Sequence, residues 1–261
     1  MVGEIKIENI HKSFKNTDVN KEDIVALNGL SLDISPGSFV SLIGPSGCGK
    51  STLLRLIGGL DNPTEGRLYI DGNEIKKPGS NRGFAFQGSN LFPWLTVEKN
   101  IAFGLKARKI YKNNKEDVIS FIRLVGLEGF EKSYPHQLSG GMQQRASLAR
   151  ALVGHPDVLL LDEPLGALDA FTRMNLQDEI LNIWKKHNIT MIMVTHDVDE
   201  AIYMSDQVVV MSARPSKVEA VIDIDLPRPR ARAQDTFQEY RTQILDILNL
   251  GGKVENVEYY L

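Results

Sequence analysis

The stretch Gly44-Pro45-Ser46-Gly47-Cys48-Gly49-Lys50-Ser51-Thr52 decides the fold. It matches G-x-x-x-x-G-K-[ST], and each part has a physical reason. Glycines let backbone N–H groups point inward at an anion with no Cβ in the way. The helix that follows offers unpaired N–H groups and the positive end of its dipole to the same anion. Lys50 brings a point charge to the β- and γ-phosphates of a nucleotide, Ser51 offers a hydroxyl to Mg2+, and Thr52 reaches the α-phosphate. Such a loop needs a strand before it and a helix after it. Phe39–Ile43 is a short apolar run between a Pro36-Gly37 turn and the loop, as a buried parallel strand reads. Residues 50–60 carry Leu53, Leu54, Leu56 and Ile57 and close on Gly58-Gly59, which predicts a helix. Both flanks therefore favour a phosphate loop over a chance match.

Outward from the loop, the pattern of the chain is that of an α/β protein. Residues 4–10 alternate loosely through Ile5, Ile7 and Ile10 and predict a strand. Residues 15–23 are polar and read as a solvated hairpin loop, and residues 24–34 alternate again. Residues 88–156 change to helical patterning, with Val118, Phe121, Ile122 and Val125 on one face and Met142, Ala146, Ala149 and Val153 on another. Then come a buried strand at 158–161, a helix at 170–187, and strands at 190–195, 208–211 and 218–224. The expectation is one α/β domain over residues 1–226 with a helical insertion at about 88–156, followed by a C-terminal linker and helix at 227–261. Leu226-Pro227-Arg228-Pro229-Arg230-Ala231-Arg232 reads as a stiff, solvated basic linker. Phe237, Tyr240, Ile244 and Leu248 share one face of the last helix, which packs on the domain or else docks on a partner.

Composition narrows the class. With 261 residues, 42% of them apolar and 24% charged, the chain resembles an ordinary soluble globular protein. A net charge of -3 gives no general basic signal for nucleic acid. Cys48 is the single cysteine, so no intrachain disulfide forms, which fits a reducing compartment. Cys48 reads as a small filler of the loop; the alternative, from its place beside Lys50 at a helix N-terminus, is a lowered thiol pKa and alkylation that blocks ATP binding. The opening MVGEIKIENIHKSF has no hydrophobic core of a signal peptide, and no apolar stretch approaches the ~18–20 residues of a spanning helix. Contact with a membrane is therefore expected through a partner.

Two further segments carry chemistry. Val158-Leu159-Leu160-Leu161-Asp162-Glu163 is an apolar strand ending in two carboxylates. Asp162 is placed to hold the Mg2+ shell with Ser51, and Glu163 to address an attacking water as general base. Strands often stop at Asp, so the pair is informative because the phosphate loop precedes it. Leu138-Ser139-Gly140-Gly141-Met142-Gln143-Gln144-Arg145 opens a helix with Ser-Gly-Gly. N-capping explains Ser139. It does not explain two adjacent glycines in a first helical turn, where glycine is costly. Close approach of a ligand to the backbone does.

GPSGCGKST, LSGGMQQR and LLLLDEP in this order resemble the nucleotide-binding subunit of ATP-binding-cassette (ABC) transporters, over about residues 4–226. The resemblance implies a phosphate-loop NTPase cassette: a parallel-sheet core, an N-terminal antiparallel β subdomain and a helical signature subdomain. It also implies roles for further residues. Gln87 in FAFQ corresponds to the Q-loop glutamine, which contacts Mg2+ and the lytic water. Ala167-Leu168-Asp169 corresponds to the D-loop, and His196 in VTHD to the switch histidine that grips the γ-phosphate. Phe14 corresponds to the aromatic residue that stacks on adenine, set farther upstream than usual by the polar insert, and Val25 adds an apolar contact. The implied cofactors are ATP and Mg2+. The implied assembly is a head-to-tail homodimer in which each ATP lies between the phosphate loop of one copy and Ser139, Gly140 and Gly141 of the other.

LFPWLTVEKNIAFGL, HDVDEAIYMSDQVVVMSARP and LPRPR resemble the importer branch for nitrate, sulfonate, taurine and similar small solutes. That kinship implies transmembrane permease subunits, a solute-binding protein reached through the complex, and a peripheral position on the cytoplasmic face of the inner membrane. Phe92 and Trp94 around Pro93 either pack as a loop or line a groove for a permease helix. A soluble ABC ATPase acting on nucleic acid or ribosomes is the alternative. The insert is too short and lacks the heptads of the genome-maintenance type, and the chain has one cassette where translation-type members usually have two. A binding module without turnover would be expected to lack Glu163 or His196, and both are present.

Overall fold

The computed structural model describes residues 2–16, 22–166 and 168–249. In chain order it begins with β1 (Ile5–Phe14), β2 (Ile24–Ile34), β3 (Phe39–Ile43), α1 (Lys50–Ile57), β4 (Glu65–Ile70), β5 (Asn73–Glu74) and β6 (Arg82–Ala85). A helical block follows: α2 (Val97–Ile101), α3 (Phe103–Ala107), α4 (Lys115–Leu124), a 3-10 turn at Pro135–Gln137 and α5 (Gly140–Leu152). The chain then alternates through β7 (Val158–Asp162), α6 (Ala170–His187), β8 (Thr190–Val194), α7 (Val198–Met204), β9 (Gln207–Met211), β10 (Val218–Asp223) and α8 (Asp235–Ile247).

Two sheets result. One is antiparallel in the order β2-β1-β4-β5, and the other runs β10-β9-β3-β8-β7-β6, parallel except at β10. Every residue of β3, β7 and β8 is buried, which is why FVSLI, VLLLD and TMIMV are continuous runs and not alternations. The two faces of these strands feed separate cores. Phe39, Leu159, Leu161, Met191 and Met193 face the helical block, packed with Phe121, Leu152 and Ile180. Val40, Leu42, Leu160, Ile192 and Val194 face α1 and the antiparallel sheet, packed with Leu53, Ile57 and Ile7. Each such fully buried aliphatic side chain contributes about 1.5–3 kcal/mol.

This topology positions the site. Because β3, β6, β7 and β8 run parallel, their carboxyl ends lie on one edge of the sheet, where ligands bind in open α/β folds. The phosphate loop leaves β3 there, Gln87 follows β6, Glu163 follows β7 and His196 follows β8.

The structure corrects several expectations. β1 continues to Phe14 and not residue 10, and α1 stops at Ile57. Gly59 has φ +69, and a Cβ there would lie 2.4 Å from the Lys77 carbonyl oxygen, so the backbone turns under a neighbouring strand connection. β4, β5 and β6 were not expected, since RGFA offers no period to read. Of the loop expected at residues 15–23, residues 17–21 lie outside the described residues. The basic segment is not a solvated linker. Arg230 is 6% exposed and donates to the carbonyls of Ile202, Ser205, Leu226 and Ile224, so it closes the C-terminal end of α7. Burial, then the charge of Arg228, pushes its pKa down to about 10, so it stays charged at neutral pH. Arg228 ion-pairs with Asp206 at 2.7 Å and lies over the Trp184 ring. Helix α8 packs on the domain, with Phe237 and Ile244 buried against Ile43, Ile202 and Val210.

Candidate active site

The phosphate loop curls over the N-terminus of α1. Gly47 and Gly49 have φ of 74° and 117°, in the region that side chains other than glycine rarely enter. Lys50, the first residue of α1, folds back so that Nζ donates to the carbonyls of Gly44 at 2.7 Å and Pro45 at 2.9 Å. Ser51 Oγ donates to Asp162 Oδ1 at 2.9 Å, which joins the loop to the end of β7. Burial raises the Asp162 carboxyl pKa, and the Ser51 hydroxyl opposes that shift.

Glu163 lies just past the strand with φ 47°, a left-handed conformation that costs a non-glycine residue ~1–2 kcal/mol. Its N–H still donates to the Val194 carbonyl at 3.0 Å. The turn aims the carboxylate along the sheet edge. There Gln87 Nε2 donates to Glu163 Oε2 at 3.0 Å, and His196 Nδ1 stands 3.8 Å from Oε1. A cavity of about 350 Å3 is lined by Ser46, Gly47 and the residues from Gly49 to Thr52 together with Gln87, Glu163, His196 and Arg214.

The arrangement can hold an anion between loop amides and two cations, with a carboxylate at the open side. It also fits Mg2+. This ion takes one or two carboxylates, a hydroxyl and phosphate or water oxygens in place of an all-protein cage. The Ser51 hydroxyl and Asp162 carboxylate are hard oxygen donors in contact, and a dication would offset the burial of the Asp162 charge. Among the described residues, no cluster of three or more His, Cys, Asp or Glu offers a competing cage.

Other residues expected to meet the nucleotide lie outside the lining of this cavity. Phe14 and Val25 are exposed on the β1–β2 pair, outside the cavity lining. Lys12 Nζ sits 5.0 Å over the Phe14 ring, and β2 touches the loop through Leu27, against which a Cβ on Gly49 would clash. Cys48 fits the filler reading: Lys50 Nζ does stand 3.8 Å from its Sγ, but the thiol is buried. It is 1% exposed and packs in the core with Leu53 and Leu54, while its N–H donates to Pro45 O at 3.2 Å. Alkylation has no route to it in the folded chain.

Ser139, Gly140, Gly141 and Asp169 also lie outside the cavity. Ser139 caps α5, accepting from Met142 N at 3.3 Å, and Asp169 caps α6, accepting from Thr172 N at 3.0 Å. The hydrogen bonding with Thr172 lowers the Asp169 pKa. The two glycines separate. A Cβ on Gly141 would press on Leu168 and Thr172 at 3.2 and 3.3 Å, so Gly141 has an internal packing reason. A Cβ on Gly140 would meet nothing within 4 Å, so nothing in its own chain requires glycine there. Ala167 lies outside the described residues.

Sequence reasoning missed Arg214, which donates to the Gly47 carbonyl at 2.6 Å. It also missed Arg173, which joins Asp197 at 3.3 Å to the Leu168 carbonyl at 3.2 Å. Arg214 lies in the string HDVDEAIYMSDQVVVMSARP but was given no role there, Arg173 lies in none of the quoted strings, and only the fold brings them to the sheet edge.

The profile described as ABC transporter matches residues 27–166. The chain belongs to the ABC transporter family. An uncharacterised ABC transporter ATP-binding protein of Methanocaldococcus jannaschii is 51% identical over 94% of this chain and 91% of its own length. An aliphatic sulfonates import ATP-binding protein of Bacillus cereus is 52% identical over 89% of this chain and 92% of its own. A bicarbonate transport ATP-binding protein of Synechococcus elongatus is 44% identical over 97% of this chain but only 39% of its own. Among solved structures, a dimeric bacterial ABC transporter cassette superposes with a TM-score of 0.76 at 33% identity, covering 85% of this chain and all of that one. A dimeric post-hydrolysis cassette bound to ADP and Pi gives 0.75 at 33% identity with the same coverage. The fold is the ABC cassette, and this member of the family is an ATPase. Among the described residues no helix is long and apolar enough to cross a membrane.

Proposed function

We propose that this ABC protein energises the import of a small anionic solute, of the nitrate, sulfonate or taurine kind, through ATP-driven closure of a homodimer on transmembrane permease subunits. One observation carries the dimeric part of this reading. The phosphate cavity gathers Lys50, Ser51, Gln87, Glu163 and His196, whereas Ser139 and Gly140 open a second helix N-terminus outside it. Two anion-binding ends and one nucleotide per site are reconciled when a second copy supplies the Ser139–Gly141 end. The sulfonate and bicarbonate relatives favour a small anion as solute. A solute-binding protein belongs to the same complex, on the far side of the membrane from this peripheral subunit. No observation favours the nucleic-acid or ribosome alternative.

In this reading Lys50 leaves the Gly44 and Pro45 carbonyls for the β- and γ-phosphates. Ser51 and Asp162 hold Mg2+, which neutralises phosphate charge when bound. Glu163 accepts a proton from the attacking water, which Gln87 helps to orient, and His196 holds the γ-phosphate. Asp169 faces the partner copy, and Phe14 and Val25 flank the base. Trp94, 69% exposed, stands with Phe92 and Phe103 in an aromatic cluster just after Gln87, where a permease helix would dock.

Glu163→Gln tests the core of the proposal. It keeps the Gln87 contact but removes the proton acceptor. With saturating Mg-ATP, light scattering should show a stable dimer and turnover should fall by at least a hundredfold. A variant that remains monomeric, or that hydrolyses ATP normally, defeats the assignment.

A further inference from the structure

Arg214 lines the phosphate cavity as a cation to which none of the sequence motifs assigns a role. It sits in the turn between β9 and β10, and that turn is built to hold it. Ser216 is fully buried, its N–H donates to the Ala26 carbonyl at 3.0 Å, and its own carbonyl accepts from Asn28 N at 3.0 Å. Ser212 ties the turn from the other side, its Oγ accepting from Lys217 N at 3.0 Å and its carbonyl accepting from Ser216 Oγ at 3.0 Å. The arginine thus stands on a base anchored to β2, and its side chain reaches the phosphate loop.

What it holds there is one peptide unit. Gly47, with φ 74°, precedes the 47–48 peptide, so on that side the unit has glycine's freedom to turn. Cys48 N donates to the Pro45 carbonyl at 3.2 Å, and Arg214 Nη2 donates to the Gly47 carbonyl at 2.6 Å. Both ends of the peptide are therefore fixed. A rotation of this unit would turn a carbonyl dipole towards an incoming phosphate. Among the described residues no carboxylate lies within 4 Å of Arg214, so the carbonyl contact is not incidental to an ion pair.

We propose that Arg214 is a positioning residue for polyphosphate binding: it acts through Gly47 to keep the loop in its anion-accepting form before the nucleotide arrives. This inference rests on the reading of residues 44–52 as the phosphate site. Pre-organisation of this kind lowers the ordering cost of binding and leaves the chemical step alone.

The test uses steady-state ATPase kinetics and thermal melting of the full chain. Arg214→Ala should raise the KM for ATP about five- to twentyfold, the worth of an exposed charge-assisted hydrogen bond, with kcat within about twofold and melting unchanged. Arg214→Lys, which keeps a charged donor, should recover most of the loss. An unchanged KM in Arg214→Ala, a parallel fall in kcat and melting temperature, or no recovery with Lys each overturns the proposal. Wild-type protein that neither binds nor hydrolyses ATP would instead indict the site assignment itself, whatever the variants do.

Discussion

Gln87 donates to Glu163 across 3.0 Å, so the segments leaving β6 and β7 meet at the open side of the phosphate cavity. The contact makes Glu163 report on the loop that runs on to Phe92 and Trp94. Gln87→Ala should lower kcat about tenfold to a hundredfold, in the range for a water-positioning group, while the KM for ATP changes less than threefold. Pre-steady-state hydrolysis with saturating Mg-ATP separates the chemical step from product release. A normal hydrolysis rate in this variant would mean that the contact is only structural.

Asp162 links the site to stability. Burial raises its carboxyl pKa above the ordinary 3.8, so the folded chain holds this proton more tightly than the unfolded chain does. As pH rises from that ordinary value through the raised one, the unfolded chain has already released the proton and the folded chain resists. Stability present at low pH is thereby lost at neutral pH. Asp162→Asn removes this loss and keeps an acceptor for Ser51. Its nucleotide-free melting temperature at pH 7 should therefore equal or exceed that of the wild type, while Mg-ATP turnover falls to background. Calorimetry from about pH 3.8 up to pH 7 should show the difference between the two proteins growing as pH rises.

Arg230 illustrates how much of the chain was legible in its sequence and where legibility stopped. The parallel core was readable because β3, β7 and β8 are buried on both faces and so appear as apolar runs. The phosphate loop, Asp162 and Glu163 were readable because they follow or end such strands, whereas Gln87 and His196 were legible only through the family strings FAFQ and VTHD. LPRPRAR was misread because charge and proline signal solvent exposure, while the partners of Arg230 are carbonyls of Ile202 and Ser205, which carry no sequence signal. Arg214 and Arg173 were missed for the same reason, since their acceptors are the carbonyls of Gly47 and Leu168. Phe14 and Val25 were matched by family position, and their exposed places outside the cavity follow from the strand register of β1 and β2.

Removing that buried guanidinium leaves several carbonyls at the end of α7 without a donor. Arg230→Ala should destabilise the protein by about 3 kcal/mol, as expected for a buried charged group with several hydrogen bonds. For a domain of this size that is a fall of about 6–12 °C in melting temperature. Because α7 follows the segment bearing His196, the variant should also become more sensitive to heat inactivation of ATPase activity than of ATP binding. Unchanged melting would restore the solvated-linker reading.

Gly140 gives the sharpest separation between the needs of one chain and the needs of two. A Cβ at this position meets nothing within 4 Å in the monomer, and φ is not in the left-handed region. On its own chain, Gly140→Ala should therefore be neutral or stabilise the first turn of α5 by about 0.5–1 kcal/mol. In the proposed dimer the same methyl group would project at the triphosphate held by the partner's phosphate loop. The variant should bind ATP with wild-type affinity as a monomer, yet fail to dimerise in the Glu163→Gln background and lose turnover at least tenfold. Gly141→Ala would not discriminate, because its Cβ would sit tightly, at 3.2 and 3.3 Å, against Leu168 and Thr172 of the same chain and so carry a packing effect of its own. Light scattering on Gly140→Ala with Glu163→Gln, paired with melting of Gly140→Ala alone, reads the two effects independently. A dimer that still closes around the alanine would show that this helix end does not face the nucleotide.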